Sequence, residues 1–310
     1  MKRKMKRAFR IGTRGSMLAL WQANFIKDLL LASSPELRLE IHIIKTTGDR
    51  NLDSPLAEIG GKGVFVKEIE EALLSGVIDI AVHSMKDLPA VLPEGLIIGA
   101  VPERHDPRDA LVSKGKLRLS ELPEDARVGT GSLRRGAQLL SLMPALRITP
   151  IRGNVDTRLR KLKEGEEYDA IMLAAAGLER MGFIGEAAEI IPAHVMVPAP
   201  GQGIIAVECR EGEWETLDLI SKINHGETWA AGVSERAFLR RIGGDCNVPV
   251  GCHAEVEGDS LRVTGILASP DGTIVIRESS EDDVSEAEEL GGRIAELILN
   301  RGGESVLSAL

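Results

Sequence analysis

The chain has 310 residues, of which 43% are hydrophobic and 27% charged, which is typical of a globular protein long enough for two or three domains. Its formal net charge of −9 at pH 7 argues against a general nucleic-acid-binding protein, because such a protein would carry a basic surface. The three cysteines, Cys209, Cys246 and Cys252, are too few for a disulfide framework, and no apolar run approaches the roughly 20 residues of a membrane span.

The N-terminus, Met1–Arg7, carries five Lys or Arg residues. No uninterrupted apolar segment follows it, because Arg10 and Arg14 intervene, so a secretory signal is not predicted. Together with the sparse cysteines, this favours a cytoplasmic location.

The first predicted unit is a strand, Phe9–Gly12, followed by a short loop and a helix. Ser16 is the predicted N-cap of that helix. Arg14 lies in the loop, where the free N–H groups of a helix N-terminus suit an anion. Arg14 is therefore a candidate anion ligand, and a solvated surface arginine is the alternative.

The second unit begins with a predicted strand at Ile41–Ile44. A glycine-rich loop at residues 54–63 is predicted to be mobile, and its Lys62 could reach a carboxylate. A helix is predicted from about Val64 to Ser75. The segment Val77–Val82 is almost continuously apolar, which is typical of a parallel strand buried on both faces.

That strand is followed by His83, Ser84, Met85, Lys86 and Asp87. In open α/β sheets the ligand binds at the carboxyl ends of the strands, so Asp87 is the best-placed carboxylate in the chain. A turn residue or helix cap is its alternative role. His83 is predicted to be a packed or hydrogen-bonded histidine rather than a catalyst.

A proline-rich and charged segment, Val101–Asp109, predicts a crossing to a second lobe. In that lobe the strand–loop–helix pattern repeats around Thr130 and Ser132, and Arg134 and Arg135 fall in the first turn of the helix. Because two cations there oppose the helix dipole, we expect an anionic group to compensate them.

The pattern recurs once more, from a strand at Arg147–Ile151 through Arg152 to a helix with Arg158 on its polar flank. A further strand, Tyr168–Leu173, leads to a helix that contains Arg180. Guanidinium groups suit carboxylates and phosphates, so their recurrence at strand ends and in first helical turns predicts an anion site. For each arginine alone, a solvated side chain is the alternative.

A second crossing is predicted at Val197–Gly203, followed by a strand, Ile204–Val207, that is expected to return to the first sheet. The predicted fold class is α/β, with two doubly wound lobes and a small C-terminal α+β domain. The predicted boundaries are 1–102 with 204–222 for the first lobe, 103–203 for the second and 223–310 for the third domain.

The third domain is predicted to begin with a helix at about Thr228–Arg241. A hairpin of Leu261–Leu267 and Thr273–Arg277, an acidic linker and a last helix from about Ser285 to Asn300 are predicted to follow its central loop.

The loop Gly243–Gly251 brackets Cys246 with glycines and a proline, after two arginines. A cysteine in this setting could have a lowered thiol pKa and act as a nucleophile. The alternative is a small buried residue in a turn. A metal site with Cys252 and His253 is disfavoured, because the spacing matches no common zinc motif.

From Arg10 to about Asn300, the chain resembles the porphobilinogen deaminase family, also called hydroxymethylbilane synthases. The resemblance rests on motifs in a fixed order: Gly12–Ser16, Gly60–Gly63, His83–Asp87, Val128–Arg135, Arg152–Val155, Pro200–Gly203 and Gly243–Gly251.

The resemblance implies two lobes like those of periplasmic anion-binding proteins and a third domain that carries a covalent dipyrromethane cofactor. In the family, that cofactor is covalently attached through a thioether to the cysteine that matches Cys246. It primes the stepwise condensation of four porphobilinogen molecules, with loss of ammonia at each step and hydrolytic release of linear hydroxymethylbilane.

The resemblance also assigns residues. Asp87 matches the carboxylate that stabilises positive charge on a pyrrole nitrogen. The positions that match the family's cofactor- and substrate-binding residues are Arg14, Ser16, Lys62, Ser84, Lys86, Thr130, Ser132, Arg134, Arg135, Arg152, Arg158 and Arg180. Two positions depart from the family pattern, because Glu58 replaces a lysine and Gly131 a frequent serine.

The resemblance further implies a monomer that hands its product to uroporphyrinogen III synthase and has neither nucleic acid nor membrane as a partner. The competing interpretation is a non-catalytic carboxylate-binding protein on the same two-lobed fold. It accounts for the arginines but leaves the loop around Cys246 without a purpose.

Overall fold

The computed structural model describes residues 8–50, 66–243 and 248–310. The chain divides into two compact units, Met1–Arg104 with Ile204–Trp229 and His105–Gly203 with Ala230–Leu310. The described residues form one five-stranded sheet in the first unit, and one five-stranded and one three-stranded sheet in the second.

Strands and helices alternate through most of the chain. Up to residue 104 the elements are β1 (Phe9–Thr13), α1 (Met17–Ser33), β2 (Leu39–Ile43), α2 (Thr47–Arg50), α3 (Lys67–Leu74), β3 (Ile80–Ser84) and β4 (Leu96–Ala100). From residue 105 to 203 they are β5 (Asp109–Ser113), β6 (Arg127–Gly129), α4 (Leu133–Leu142), β7 (Arg147–Thr149), α5 (Val155–Glu164), β8 (Ala170–Ala174), α6 (Ala175–Arg180) and β9 (Glu189–Ile191). The last are β10 (Ile205–Arg210), α7 (Trp214–Ser221), α8 (Gly226–Ile242), β11 (Val250–Glu257), β12 (Ser260–Ala268), β13 (Val275–Asp283), α9 (Ala287–Ile298) and α10 (Glu304–Ser308).

The two five-stranded sheets have the same plan. The first has the order β2-β1-β3-β10-β4 and the second β7-β6-β8-β5-β9. In each, three strands run parallel, and the fourth strand in that order runs antiparallel to both of its neighbours. The prediction that the chain returns to the first sheet after the second crossing is confirmed, because β10 pairs with β3 in the register Ile205↔Ser84.

An arginine–aspartate pair is repeated at the amino end of both sheets. In the first unit, Arg10 donates its backbone N–H and Nε to Asp79 Oδ2 (2.9 Å each), and its Nη2 to Oδ1 (2.7 Å). In the second, Arg127 makes the same three hydrogen bonds to Asp169, at 2.8, 3.1 and 3.1 Å. Each pair therefore ties the start of β1 or β6, the middle one of three parallel strands, to the residue that precedes its neighbour β3 or β8.

The strand predicted to start at Val77 starts later, at Ile80. Gly76 has a positive φ of 70°, and Val77 is 52% exposed, so the chain is still in a turn there. The Asp79 carboxylate binds Arg10, and the strand begins directly after this residue. The strand in turn extends beyond Val82 to Ser84.

The small antiparallel sheet has the order β11-β12-β13, with α8 and α9 contributing to its core. Gly265 of β12 lies where these helices come close, since a Cβ atom there would approach Phe238 to 2.6 Å and Ile294 to 2.7 Å. The prediction of an acidic linker before the last helix was wrong, because this segment is part of β13. Some of its acidic side chains pair with cations, as Glu281 does with Arg262 across the strands at 2.9 Å.

The fold class predicted from the sequence is confirmed: two α/β lobes and a small C-terminal α+β part. Within the three described ranges, no helix is both long and apolar enough to cross a lipid bilayer.

Candidate active site

A pocket in the first unit lies at the carboxyl ends of β1 and β3. Five of its lining residues have polar side chains suited to ligand contact: Arg14, Ser16, Gln22, Ser84 and Asp87. Parallel strands that end at one edge of a sheet bring such residues together, although Arg14 and Asp87 are far apart in sequence. The structure therefore places four predicted site residues, Arg14, Ser16, Ser84 and Asp87, around one pocket.

Ser16 is the N-cap of α1, as predicted. Its Oγ accepts a hydrogen bond from the backbone N–H of Ala19 (3.3 Å). The serine thus holds the start of the helix at the pocket wall, beside Arg14.

Asp87 and Lys86 belong to a single 3₁₀ turn, Met85–Asp87, that directly follows β3. The Asp87 side chain is exposed, and the turn is anchored because Met85 N–H donates to the Ile204 carbonyl (3.0 Å). An exposed carboxylate on an anchored turn can meet a ligand without first breaking a buried contact.

Gln22 is a pocket residue that the sequence analysis missed. Its Nε2 donates to Ser84 Oγ at 2.9 Å, and the side chain is buried. The buried face of α1 is Ala19, Gln22, Ala23, Ile26 and Leu30. Apolar residues recur every three or four positions on this face of the helix, and a polar residue at one of these positions was the signal that could have identified Gln22.

His83 is buried and hydrogen-bonded, as predicted. Its Nε2 lies 3.0 Å from Oε2 of Glu208, a fully buried residue of β10. His83 also lines the pocket, so the wall behind Asp87 contains a buried histidine–glutamate hydrogen bond.

In the second unit, two predicted hydroxyl residues organise the start of α4. Thr130 Oγ1 accepts from the Ser132 N–H (3.1 Å), and Ser132 Oγ accepts from the Arg135 N–H (3.4 Å). Ser132 is therefore the N-cap of the helix whose first turn carries Arg134 and Arg135.

The anionic partner expected for these two arginines is Asp109, the first residue of β5. Asp109 is 0% exposed, Arg134 4% and Arg135 6%. Arg134 Nη1 donates to Asp109 Oδ2 (2.6 Å), and Arg135 Nε donates to Oδ1 (2.8 Å). Gln202 Nε2 also donates to Oδ1 (2.9 Å).

The electrostatics of Asp109 follow from these contacts. Burial alone raises the pKa of its carboxyl, but the positive charges of Arg134 and Arg135 outweigh burial and hold the pKa well below its usual range. The three groups together keep one net positive charge. Since Arg134 Nη1 also donates to the Val197 carbonyl (2.7 Å), the cluster joins α4 to the second crossing segment.

A second group of cations adjoins this cluster. Burial, and then the charges of Arg135 and Arg152, lower the pKa of Arg158 to about 10. Its Nε donates to the Gly153 carbonyl at 2.7 Å. Arg158 was predicted on the polar flank of α5, but its side chain is partly buried toward other cations. Positive charges gathered in this way favour the binding of an anion.

Arg180, at the end of α6, is buried and donates from Nη2 to the Gly203 carbonyl at 2.7 Å. Burial lowers the pKa of its guanidinium to about 10. The remaining predicted site residues, Lys62 and Cys246, lie outside the described residues, as does Glu58. The assignment of each site residue to cofactor or substrate stays a prediction.

The fold and these two residue groups define a two-lobed α/β protein that carries arginines and an exposed carboxylate, Asp87, near the carboxyl ends of its strands. The chain belongs to the porphobilinogen deaminase family. Residues 9–218 match the family model described as "Porphobilinogen deaminase, dipyromethane cofactor binding domain", and residues 229–300 match "Porphobilinogen deaminase, C-terminal domain".

Relatives support the same assignment over nearly the whole chain. The porphobilinogen deaminase of Syntrophomonas wolfei is 51% identical and covers 97% of this chain and 98% of its own. That of Desulforamulus reducens is 50% identical and covers 98% of both chains. Among solved structures, the chain is similar to an ancestral cationic amino acid solute binding protein, at 18% identity and a TM-score of 0.44, over 70% of this chain and 88% of that one.

The resemblance identified from the motifs is therefore confirmed, and with it the dipyrromethane cofactor, which the matching family model names. The residues present fit such a group. Pyrroles that carry acetate and propionate arms are polyanions, and the partly buried cations around Arg158 would be stabilised by carboxylates. The match supports the enzyme and not the non-catalytic carboxylate-binding alternative.

Proposed function

We propose that this chain condenses four porphobilinogen molecules on a dipyrromethane primer, releasing ammonia at each step and finally hydroxymethylbilane. Family membership supports the reaction class. The observation that carries the proposal is the group of arginines around Arg158, because burial and the charges of neighbouring arginines lower the pKa of both Arg135 and Arg158.

These arginines bind the carboxylate arms of the pyrroles. Arg158 contributes most directly, since neighbouring guanidinium charges already disfavour its charged state and a carboxylate would relieve that repulsion. Arg135 contributes while held by Asp109, and Arg134 positions the helix start through Asp109 and the Val197 carbonyl.

The first unit contributes the group at which the reaction takes place. Asp87 stabilises the positive charge that develops on a pyrrole nitrogen as the amine leaves, and it accepts or returns a proton there. Arg14, Ser16, Ser84 and Lys86 bind carboxylates around it, and Thr130, Ser132 and Arg180 do so in the second unit. Lys62, outside the described residues, is proposed to bind a carboxylate on the family resemblance alone.

Cys246 is proposed to bind the cofactor through a thioether. The domain proposed to carry it is 223–310, and the two proposed lobes are 1–102 with 204–222 and 103–203. When bound, dipyrromethane supplies the free pyrrole position to which the first substrate is joined. A monomer in the cytoplasm that passes its product to uroporphyrinogen III synthase is part of the same proposal, on the family resemblance alone.

Intact-mass measurement of the denatured protein tests the proposal. Protein from cells that make porphobilinogen should be heavier than its sequence by two linked pyrrole units, and brief incubation with porphobilinogen should add a ladder of further units. Ammonia release should accompany the ladder. An unmodified mass without a ladder contradicts the proposed function.

A further inference from the structure

Three buried ionisable side chains lie on elements that pack against one another behind the pocket of the first unit: His83 of β3, Glu208 of β10 and Glu70 of α3. We call them the acid–base cluster. His83 Nε2 and Glu208 Oε2 are 3.0 Å apart. Since His83 also lines the pocket, the cluster adjoins the strand end that leads to Asp87.

Two carboxylate oxygens of the cluster lack a hydrogen-bond donor among the described residues. Glu70 Oε1 and Glu208 Oε1 are both buried, and neither has a hydrogen-bond partner in the described part of the chain. A buried, unpartnered carboxylate is costly, and two such carboxylates close together also repel each other. A proton on Glu70 removes one of the two charges and leaves the other opposite His83.

Electrostatics agree with this arrangement. Burial, and then the negative charge of Glu208, raise the pKa of Glu70 to about 7, and His83 offsets only part of the increase. Glu70 therefore changes its charge in the range in which most enzymes work.

Among the described residues, the charges that act on the carboxyl of Glu70 are those of Glu208 and His83, and Lys67 of the same helix is exposed to solvent. Helix α3 packs against β1, β3, β4 and β10. Arg10 of β1 is bound by Asp79, and β4 has the sequence LIIGA, without a charged residue. Arg210 of β10 lies at the other end of α3, where it donates to the Leu73 carbonyl.

We propose that protonated Glu70 positions the end of β3, and with it Ser84 and Asp87, by allowing the acid–base cluster to stay buried. Ionisation of Glu70 puts a second negative charge into this site and loosens the packing of α3 on β3. The inference deepens the proposed function and rests on it for its activity readout, whereas its stability readout is independent of any activity.

The stability test compares Glu70→Gln with Glu71→Gln, its exposed neighbour on the same helix. The folded-state pKa of Glu70 lies above its unfolded value, so its contribution to stability is complete at low pH and is lost as pH rises through about 7. The Tm of the wild type and of Glu71→Gln should therefore fall between about pH 4.5 and 7 and level off above that range. The Tm of Glu70→Gln should stay level there, because glutamine resembles the protonated acid.

The activity test measures kcat and KM for porphobilinogen at pH values on both sides of about 7, where Glu70 ionises in the folded protein. The wild type and Glu71→Gln should lose kcat severalfold as Glu70 ionises, with little change in KM. Glu70→Gln should match the wild type at low pH and keep its kcat at high pH. A purely structural glutamate would change the Tm at every pH and leave the shape of the kcat profile unchanged.

Glu208→Gln provides a second variant in case Glu70→Gln does not fold. It removes the charge that helps to keep Glu70 protonated, so the midpoint of the Tm change should move to lower pH. An unchanged midpoint, or a Glu70→Gln variant with the wild-type pH dependence of Tm, overturns the inference. If the wild type releases no ammonia, the proposed function fails, and the Tm series still decides this inference.

Discussion

Asp109 Oδ1 accepts the Nε–H of Arg135 at 2.8 Å while Oδ2 accepts Nη1 of Arg134 at 2.6 Å, so one fully buried carboxylate holds two adjacent arginines of one helix turn. Burial makes both guanidinium groups depend on that single counter-charge. Asp109 is thus a positioning residue for the arginines that the family resemblance assigns to ligand binding.

Asp109→Asn should be strongly destabilising, by about 3–5 kcal/mol, because it leaves two buried cations uncompensated. The pKa of Asp109 is lowered in the folded state, so its contribution to stability is present at neutral pH and is lost on acidification. Denaturant unfolding at pH 7 measures the loss. The matched control is Asp169→Asn, which breaks the more exposed pair with Arg127 and should cost much less. Equal losses in the two variants would contradict the role given to Asp109.

Asp87→Asn should lower turnover by roughly 10²–10⁴-fold, since the amide keeps the size of the side chain but not the charge that stabilises a cationic pyrrole. Ammonia release under saturating porphobilinogen measures it. Because Asp87 is exposed, the Tm and the mass of the attached cofactor should not change. Asp28→Asn, an exposed carboxylate of α1 outside the pocket, serves as control and should retain full activity. More than a tenth of wild-type turnover in Asp87→Asn would remove this residue from the mechanism.

Arg158→Gln should raise KM by roughly 10–100-fold, because it deletes a partly buried cation that binds carboxylate arms. The same change relieves repulsion among Arg135, Arg152 and Arg158, so the Tm should stay level or rise. Arg160→Gln, at an exposed position of the same helix, should change neither quantity. A fall in Tm with an unchanged KM would show that Arg158 serves the fold rather than the ligand.

Cys246→Ala should abolish both the added mass and nearly all activity, whereas Cys209→Ala and Cys252→Ala should keep both. The two control cysteines are fully buried in β10 and β11, and burial raises the pKa of Cys209 to about 11, so little of its reactive thiolate forms at neutral pH. Peptide mapping after digestion locates the adduct. An adduct on Cys209 or Cys252 would overturn the assignment.

Much of the candidate site could be predicted because its signals are local in sequence. Ser16 and Ser132 precede apolar helical segments, and a serine at that place satisfies the first N–H groups of the helix whatever else surrounds it. Asp87 follows a buried strand, and that position alone places it at the ligand edge of a parallel sheet. The motif order that indicated the family is likewise a property of the linear chain.

The partners of buried charges could not be predicted in this way. Glu208 meets His83 across 125 residues of sequence only because β10 returns to pair with β3. In the sequence, Asp109 is one of several charged residues of the predicted crossing segment. In the structure it is the first residue of a buried strand, and its carboxylate compensates Arg134 and Arg135. Gln22 could not be recognised as a pocket residue from the sequence, because its partner, Ser84, lies far from it in the chain.

The sequence by itself therefore determined the family, the strand–loop–helix repeats and the residue types gathered at the strand ends, because caps, turns and hydrophobic periodicity act over a few residues. Only the tertiary structure decided which of those charges are neutralised inside the protein and which are left to attract a ligand. That distinction depends on strand order and burial, since a counter-ion acts on a buried guanidinium or carboxyl only within a few ångströms, wherever in the chain it comes from.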